Sequence, residues 1–356
     1  MNVRDSLFCR AARREQVERT PVWFMRQAGR VLPEYRAVRA GRTLLEICQA
    51  PELCAEVTLQ PVARFDVDAA VLFADIVSPL VAIGVDVTLV DDVGPVVGHP
   101  IRSMADLAAL RDIEPGQDVP HVLEAIRLVD RELGGRIPVI GFAGAPFTLA
   151  AYLVEGRPSR DFRHTKTMMY SAPALWHALM ERLTAIIVPY LRAQAAAGAA
   201  ALQLFDSWVG ALSPQDYAEF VQPYARRIFS DLKRTGVPLI HFGTNTAAIL
   251  DAMKTDGAGI IGVDWRIPLD LAWARLGHSL GIQGNLDPMA LAGSPEHLRS
   301  AIADVLHRAA GRSGHIFNLG HGLHPATPIE QVQRTVEWIR AMTTRGNVPP
   351  ATAAAR

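Results

Sequence analysis

Four arginines follow the first apolar, strand-like run of the sequence. Residues 22–25 are apolar, and Arg26, Arg30, Arg36 and Arg39 come shortly after them. A guanidinium group holds a carboxylate or a phosphate through two parallel hydrogen bonds and keeps its charge at physiological pH. Each such charge-assisted bond contributes about 1.5–3 kcal/mol. The cluster therefore predicts a site for a small polyanion.

The segment "RQAGR" at 26–30 has a sequence that can fold over an anion. Its Ala-Gly step carries no bulky side chain, so the backbone N–H groups of Gln27, Ala28 and Gly29 can point together into a concave anion site. We expect these three residues to bind the ligand together with the two arginines that flank them.

Arg36 and Arg39 have a simpler interpretation. Both lie beyond "LPEY", where they could form solvated ion pairs with Glu34 or Glu46. For Arg36 we favour such an ion pair over a role in ligand binding.

A carboxylate ends the second strand-like run. Asp75 lies in "LFADIVSP", flanked by apolar residues, where an unpartnered charge would be costly to desolvate. Arginines facing the same pocket would keep it ionised, which makes Asp75 a candidate catalytic and substrate-binding residue. The alternative is a helix N-cap formed with Ser78.

Neutral polar groups follow three further runs. In "GFAGAPFTLAAYLVEG", Thr148 falls in the first turn of a helix, and Tyr152 lies one turn later on the same face. Ser207 ends the fourth run in "FDSW", and His321 lies between glycines after the last. Taken singly, a helical tyrosine is more often a core residue, and a strand-end serine is more often a cap. In a closed barrel, however, His321 would lie beside Arg26.

Eight short apolar runs alternate with segments of helical character, which is the pattern of a (β/α)8 barrel. The runs occupy residues 22–25, 69–75, 138–144, 201–207, 238–244, 259–264, 279–285 and 315–321. Helices are predicted at 46–64, 121–134, 173–198, 215–235, 246–255, 268–277, 296–310 and 327–343.

A doubly wound open sheet is the competing architecture. Against it, no G-x-G-x-x-G follows the first run, and almost every run ends in a polar residue or glycine, where barrel enzymes place their chemistry. We therefore predict an α/β fold with one TIM-barrel domain over 1–346 and the active site at the C-terminal ends of its strands. Residues 84–101 are predicted as a small β-excursion, and 347–356 as a disordered tail.

Composition excludes several classes of partner. Acidic and basic residues balance at 36 each, so no long-range field attracts nucleic acid. No segment has the continuous apolar character of a secretory signal or a membrane span. We expect a cytoplasmic protein that binds neither nucleic acid nor membrane. The cysteines Cys9, Cys48 and Cys54 are too few and too irregularly spaced for a disulfide framework or a CxxC zinc site.

The strand ends also lack the residues of several catalytic chemistries. A Schiff base needs a lysine there, and Lys166, Lys233 and Lys254 lie elsewhere. Zinc chemistry needs grouped His or Cys ligands, and "HFG" at 241–243 offers one histidine without a cysteine. The predicted site has cations, one anion and neutral donors, and we expect neither a metal nor an organic cofactor.

Two stretches, "PVWFMRQAGRVLPEYR" and "GFAGAPFTLAAYLVEG", closely resemble the signature stretches of the uroporphyrinogen decarboxylase family. "LFADIVSP", "FDSW", "GNLDP" and "NLGHGLHPATP" resemble its other recurring segments in the same order, so that the resemblance covers residues 4–343. It implies a homodimeric (β/α)8 enzyme that removes CO2 from the four acetate groups of uroporphyrinogen III, giving coproporphyrinogen III without a cofactor. The family's functional positions fall on Arg26, Gln27, Ala28, Gly29, Arg30, Asp75, Tyr152, Ser207 and His321.

The chain departs from the family pattern at three positions. Val31 stands where the family often has Tyr, Ala74 where it often has Ser, and Arg157 where a second Gly is common. These departures affect the shape of the pocket and remove none of the functional groups.

The decarboxylation implied by the resemblance explains why the predicted site has these residue types. Loss of CO2 leaves an electron pair that many decarboxylases place on a cofactor, whereas a protonated pyrrole can accept it as an iminium. The protein must then supply orientation, an anion for the pyrrolium charge and a proton. Asp75 fits the second need. The proton source stays open between Arg30, a protonated side chain of the substrate and water, and an arginine is a poor acid by its reference pKa.

Two other functions remain to be distinguished. A corrinoid-linked methyltransferase, which has a related barrel, would activate a thiol on zinc. A binding protein for polyanions or tetrapyrroles would retain affinity for the ligand without releasing CO2.

Overall fold

The computed structural model of the protein describes residues 2–29, 31–90 and 93–344. Arg30 and the predicted tail at 347–356 lie outside these residues. The strands in chain order are β1 (Ala70–Val71), β2 (Val87–Val90), β3 (Gly94–Val97), β4 (Val139–Gly144), β5 (Ala201–Asp206), β6 (Leu239–Gly243), β7 (Ile260–Gly262), β8 (Gly281–Gln283) and β9 (His315–Ile316).

Seven of these strands form one parallel sheet. Its order is β1-β4-β5-β6-β7-β8-β9, and every neighbouring pair is parallel, so the C-terminal ends of all seven strands lie at the same edge. The protein is thus an α/β fold built on a curled seven-stranded sheet. Strands β2 and β3 form a separate antiparallel hairpin, which confirms the predicted excursion within 84–101.

The first apolar run is not a regular strand, so the prediction of eight strands is met only in part. Val22 forms a single parallel bridge to Phe317. Beyond it, the Phe24 N–H donates to Gln27 Oε1 at 2.9 Å and the Met25 N–H donates to Asn318 Oδ1 at 3.2 Å. The side-chain oxygens of Gln27 and Asn318 accept from these two N–H groups, which would otherwise donate to a neighbouring strand. Regular strand pairing therefore ends after one bridge.

Seventeen helices are assigned within the described residues, and most of them connect successive strands. They are α1 (Leu7–Ala12), α2 (Pro33–Arg39), α3 (Leu44–Gln49), α4 (Pro51–Phe65), α5 (Ser78–Ala82), α6 (Met104–Ala108), α7 (Pro115–Asp118), α8 (Pro120–Leu133), α9 (Pro146–Glu155), α10 (Arg163–Ser171), α11 (Pro173–Ala196), α12 (Pro214–Phe220), α13 (Gln222–Leu232), α14 (Leu250–Met253), α15 (Leu269–Leu276), α16 (Pro295–Ala309) and α17 (Ile329–Thr343). None of the helices in the described ranges combines the length and apolar character needed to cross a bilayer.

Prolines and local turns divide two of the predicted helices. The predicted helix 46–64 ends at Gln49 and restarts at Pro51, since proline is tolerated in the first turn of a helix. The predicted helix 215–235 breaks at Val221, whose φ of −128° is not helical. Only Leu250–Met253 is helical within 246–255. The other predicted helices match within a few residues.

One continuous hydrophobic core joins the sheet to the helices around it. A polar chain crosses the concave side of the sheet. Trp23 Nε1 donates to Gln283 Oε1 at 3.1 Å, and Gln283 Nε2 donates to Gln203 Oε1 at 3.0 Å. All three side chains are buried. Because the Trp23 indole is bonded to Gln283 of β8, the segment directly before the predicted arginine loop is held against the sheet.

Candidate active site

The C-terminal edge of the sheet collects the predicted site residues. Asp75 follows β1, Tyr152 lies on α9 directly after β4, and Ser207 follows β5. His321 follows β9, and Arg26 comes four residues after the Val22 bridge to the segment that β9 begins. This is the edge at which α/β barrels carry their chemistry.

The Arg26 segment is bound directly to the His321 segment, as predicted. The Leu323 N–H donates to Met25 O at 2.9 Å. Arg26 has a positive φ of 59°, an uncommon conformation for a residue with a side chain. Its stem passes over Gly322, where an added Cβ would lie 2.4 Å from Arg26 Cδ. Only a glycine at 322 leaves room for this path.

Gln27 holds the arginine loop against the start of β1. Its buried amide accepts from the Phe24 N–H and donates to Ala69 O at 2.8 Å. Its own N–H donates to Phe24 O at 3.1 Å. The predicted ligand role of this N–H stays a prediction, and in the structure the N–H is engaged within the loop.

Ala28 and Gly29 are buried at the turn of the same loop. Gly29 has a φ of 88°, which favours glycine. A Cβ there would lie 3.1 Å from Phe73 Cε2, so the loop packs against the segment that leads to Asp75. The ligand roles of both residues stay predictions, as does that of Arg30, which lies outside the described residues.

Asp75 is half-buried, and a tight turn holds its side chain. Oδ1 accepts from the Val77 N–H at 3.0 Å, and Ser78 Oγ donates to the Asp75 carbonyl at 2.7 Å. The residue at the N-cap position of α5 is Val77, which makes no side-chain cap. The capping alternative therefore holds in part. Asp75 and Ser78 are joined by hydrogen bonds, but these bonds form a turn before α5 and do not cap the helix.

Tyr152 shares its electrostatic environment with Asp75 and Arg26. Burial raises the pKa of the phenol, the Asp75 charge raises it further, and the Arg26 charge opposes both. The phenol therefore keeps its proton at neutral pH. The ring lies against Trp208, with ring centroids 4.0 Å apart. The anion, the cation and the phenol thus face one region at the edge of the sheet.

Ser207 and His321 border the same edge and are half-buried. The Ser207 carbonyl accepts from Thr244 Oγ1, which joins the end of β5 to the end of β6. The substrate-binding roles of both side chains stay predictions.

A buried ion cluster lies behind β5 and β6, and sequence reasoning missed it. His241 Nε2 is 3.6 Å from Asp206 Oδ2, and Nδ1 is 3.4 Å from Asp256 Oδ2. These distances exceed ordinary hydrogen bonds and lie in the range of ion pairs between an imidazolium and a carboxylate. Tyr217 donates to Asp256, and Thr148 Oγ1 donates to Asp206 Oδ1 at 2.9 Å. We call Asp206, His241 and Asp256 the buried ion cluster.

Arg36 has a partner other than the predicted one. Its guanidinium donates to Val31 O at 3.2 Å, and Glu34 pairs with Arg64 at 3.1 Å instead. Arg39 donates to the Arg42 carbonyl. The α2 helix places the carboxylate of Glu34 toward α4, and Glu46 accepts from the Thr43 N–H, so neither predicted partner pairs with Arg36.

Comparison with known proteins assigns nearly the whole chain to one family. The uroporphyrinogen decarboxylase family model matches residues 4–342. The chain belongs to the uroporphyrinogen decarboxylase family. Curated relatives with that name include one from Streptomyces coelicolor, 54% identical over 96% of both chains, and one from Thermus thermophilus, 53% identical over 96% of this chain and 99% of the relative.

A solved structure shows the same fold in a more distant protein. A methyltransferase from Methanosarcina mazei has a TM-score of 0.79 and 21% identity, and the match covers 95% of this chain and 98% of that one. At 21% identity the likeness to this methyltransferase concerns the fold alone. Among the residues that the structure describes, no three or more His, Cys, Asp or Glu side chains are grouped to hold a metal.

Proposed function

We propose that the protein removes CO2 from the four acetate side chains of uroporphyrinogen III and gives coproporphyrinogen III, without a metal or an organic cofactor. The observation that carries the proposal is that Asp75, Tyr152 and Arg26 all lie at the C-terminal edge of the sheet, where the charges of Asp75 and Arg26 both act on the phenol. Membership of the uroporphyrinogen decarboxylase family identifies the substrate to which such a site would be suited.

The pyrrole can serve as its own electron sink. Protonation of the ring carbon next to the acetate-bearing carbon produces an iminium. The bond to the carboxylate carbon then breaks, CO2 leaves, and the electron pair neutralises the iminium. A second proton converts the exocyclic methylene to a methyl group, and the ring carbon loses the proton that it gained.

Each side chain then has a role that its chemistry supports. Asp75 stabilises the pyrrolium charge and accepts hydrogen bonds from ring N–H groups, which favours the transition state electrostatically. Arg26 and Arg30 hold substrate carboxylates. The Tyr152, Ser207 and His321 side chains bind or orient acetate and propionate groups, and the backbone of Gln27, Ala28 and Gly29 encloses the ligand.

We also propose that the sheet closes as an eight-stranded barrel, with the Val22 segment as the eighth member. Support comes from its hydrogen bonds on both sides. Phe317 N donates to Pro21 O at 2.9 Å, and Asp68 N donates to Val22 O at 2.8 Å. We propose residues 1–346 as one domain because the core is continuous. A cytoplasmic homodimer is proposed from the family resemblance, and sedimentation velocity of the purified protein tests the dimer.

An anaerobic assay with metal-stripped protein tests the activity. The protein is incubated with uroporphyrinogen III, and the oxidised porphyrins are separated by their number of carboxylates. A series from eight carboxylates down to four supports the proposal. Unchanged octacarboxylate from folded protein contradicts it. Tight binding without CO2 release would then indicate a binding protein. Zinc in the protein as first purified, together with thiol methylation, would indicate a methyltransferase.

Replacement of Tyr152 by Phe is expected to weaken turnover by roughly tenfold or less, because one neutral hydrogen bond contributes about 0.5–1.5 kcal/mol. The ring that packs on Trp208 remains. Steady-state kinetics on uroporphyrinogen III measure the effect. Tyr170→Phe removes an exposed hydroxyl that bonds to Asp216 and is the matched control, with no expected change. A loss for Tyr152→Phe as large as for a variant of Asp75 would contradict these roles.

Replacement of Gly322 by Ala is expected to displace Arg26 and raise KM by roughly 10- to 100-fold, the loss of one charge-assisted contact. The added methyl group would overlap the near stem of the arginine, which cannot move without shifting its guanidinium. Gly116→Ala is the control, since no atom lies within 4 Å of a Cβ there. An unchanged KM in the Gly322 variant would show that Arg26 does not hold substrate.

A further inference from the structure

The buried ion cluster has no part in the mechanism above. Its three side chains are 1%, 0% and 2% exposed, so their charges have lost almost all contact with solvent. Burying charges is costly even when they are paired, and apolar side chains of similar size are often as stable or more so. Stability alone therefore gives a weak reason for placing ions at this position.

The cluster lies between the sheet and its outer helices. In the register of the sheet His241 is paired with Leu204, and its ring is 5.2 Å from the Phe229 ring of α13. Asp206 is the last residue of β5, directly before Ser207. The ions thus lie immediately behind the strand end that carries the site.

The charge of His241 depends on the two carboxylates. Burial by itself would lower the pKa of the imidazole, but Asp206 and Asp256 together outweigh burial and raise this pKa to about 9. At neutral pH the cluster is an imidazolium between two carboxylates.

Two side chains connect the cluster to the site. Thr148 on α9 donates to Asp206, and its oxygen accepts from the Trp208 N–H at 3.4 Å. The Trp208 indole in turn lies against Tyr152, one turn after Thr148 on the same helix. Asp206 therefore fixes the angle between the start of α9 and the loop after β5, and both elements carry site residues.

We propose that the protonated His241 is a positioning residue for decarboxylation, acting through Asp206, Thr148 and Trp208 on the Tyr152 side of the site. It contacts no substrate. When the imidazolium loses its proton, Asp206 is left as a buried carboxylate without a counter-charge, which is costly. Its carboxylate then moves toward other donors and no longer holds Thr148 and Trp208 in place. This inference rests on the proposed function.

The titration of His241 can be distinguished from that of the nearby tyrosines. Asp206 faces it from β5, Asp256 from the segment after α14, and Tyr217 approaches from α12 through Asp256. The α13 helix presents the uncharged Phe229 to the imidazole, and Arg226 of the same helix acts on Tyr217. Burial and Asp256 raise the pKa of Tyr217 well above its usual value. Tyr217 and Tyr152 therefore stay protonated while His241 titrates.

The experiment measures kcat and KM anaerobically from pH 7 to pH 10.5, first for the unaltered protein. We expect kcat/KM to be level at first and then to fall by about tenfold per pH unit above pH 9. His241→Gln is expected to be roughly 10- to 100-fold slower at pH 7.5, the cost of a misplaced site, and to lack the fall that begins near pH 9.

Two further variants refine the test. Asp256→Asn removes one carboxylate from the imidazolium and is expected to move the fall to lower pH. Asp251→Asn alters an exposed carboxylate on neighbouring α14 that pairs with Arg275, and is expected to leave the profile unchanged. The Asp256 variant and the profile of the unaltered protein keep the proposal testable if His241→Gln does not fold.

Stability distinguishes positioning from a purely structural role. The raised pKa of His241 contributes stability that is complete below its unfolded value of 6.5 and is lost as pH rises through about 9. A fall in unfolding free energy without a fall in kcat/KM would overturn the proposal, as would identical profiles for His241→Gln and the unaltered protein. CO2 release at pH 7.5 by the unaltered protein is judged separately, because its absence would refute the proposed function itself.

Discussion

An Asp75→Asn variant is expected to fold normally and to lose about 10²–10³-fold in turnover, the usual effect of removing one preorganised electrostatic partner of a transition state. The amide oxygen of Asn can still accept from the Val77 N–H, so the turn at 75–78 persists. The negative charge that stabilises the pyrrolium is lost. Single-turnover kinetics on uroporphyrinogen III, with circular dichroism as a check on folding, measure the effect.

Asp287 provides the matched control. It follows β8, and its Oδ1 accepts from the Met289 N–H at 2.9 Å in the same kind of turn. Asp287→Asn is therefore expected to change turnover little, since no role in the chemistry is assigned to it. Equal, mild losses in the two variants would contradict the role of Asp75 as the anion of the reaction.

Replacement of Asp68 by Ala is expected to destabilise the protein by about 2–4 kcal/mol, because it leaves the partly buried Arg19 and the buried Val22 N–H without their acceptor. Arg19 donates to both oxygens of Asp68, at 2.7 and 2.6 Å, and the Val22 N–H donates to Oδ2 at 2.9 Å. Asp68 N donates in return to Val22 O. The variant therefore loosens the connection between the Val22 segment and β1. Urea unfolding followed by circular dichroism measures the change.

An exposed ion pair provides the comparison. Glu124 pairs with Arg127 at 3.1 Å on the surface of α8, and Glu124→Ala is expected to change the unfolding free energy by about 1 kcal/mol or less. Similar changes in unfolding free energy for the Asp68 and Glu124 variants would contradict this role. They would show that the bonds between Asp68 and Val22 do not hold the Val22 segment beside β1.

The sequence predicted the edge of the sheet better than it predicted the strands. The polar or glycine residue after each apolar run located Asp75, Ser207 and His321 at one edge, because parallel strands all end on the same side. The contact between the His321 and Arg26 segments followed from the same reasoning. These predictions needed only the order of the elements.

The extent of pairing could not be predicted in the same way. Residues 22–25 have strand-like composition, but the side-chain oxygens of Gln27 and Asn318 accept from the N–H groups of Phe24 and Met25. After β1, Thr58 Oγ1 accepts from the Phe73 N–H at 2.9 Å. A rule based on composition evaluates neighbours along the chain, whereas Asn318 and Thr58 approach from other segments.

The buried ion cluster was missed because its members are far apart in sequence. In the sequence, His241 stands out only as a candidate zinc ligand, and Asp206 only as part of "FDSW". One signal was present. A histidine within the apolar run 238–244 must be satisfied when the strand is buried, and carboxylates are its usual partners. Which carboxylates those are depends on the packing of α12 and α14 against the sheet.

The bond between Met25 and Asn318 has a consequence for the order of events during synthesis. The two residues are 293 positions apart. At translation rates of about 5–20 residues per second, the first waits roughly 15–60 s for the second to be made. During that interval the segment around Arg26 lacks the partner that fixes it. A ribosome-bound chain is therefore expected to bind substrate only after residue 323 has emerged. Immobilised substrate is expected to retain full-length protein and not shorter nascent chains.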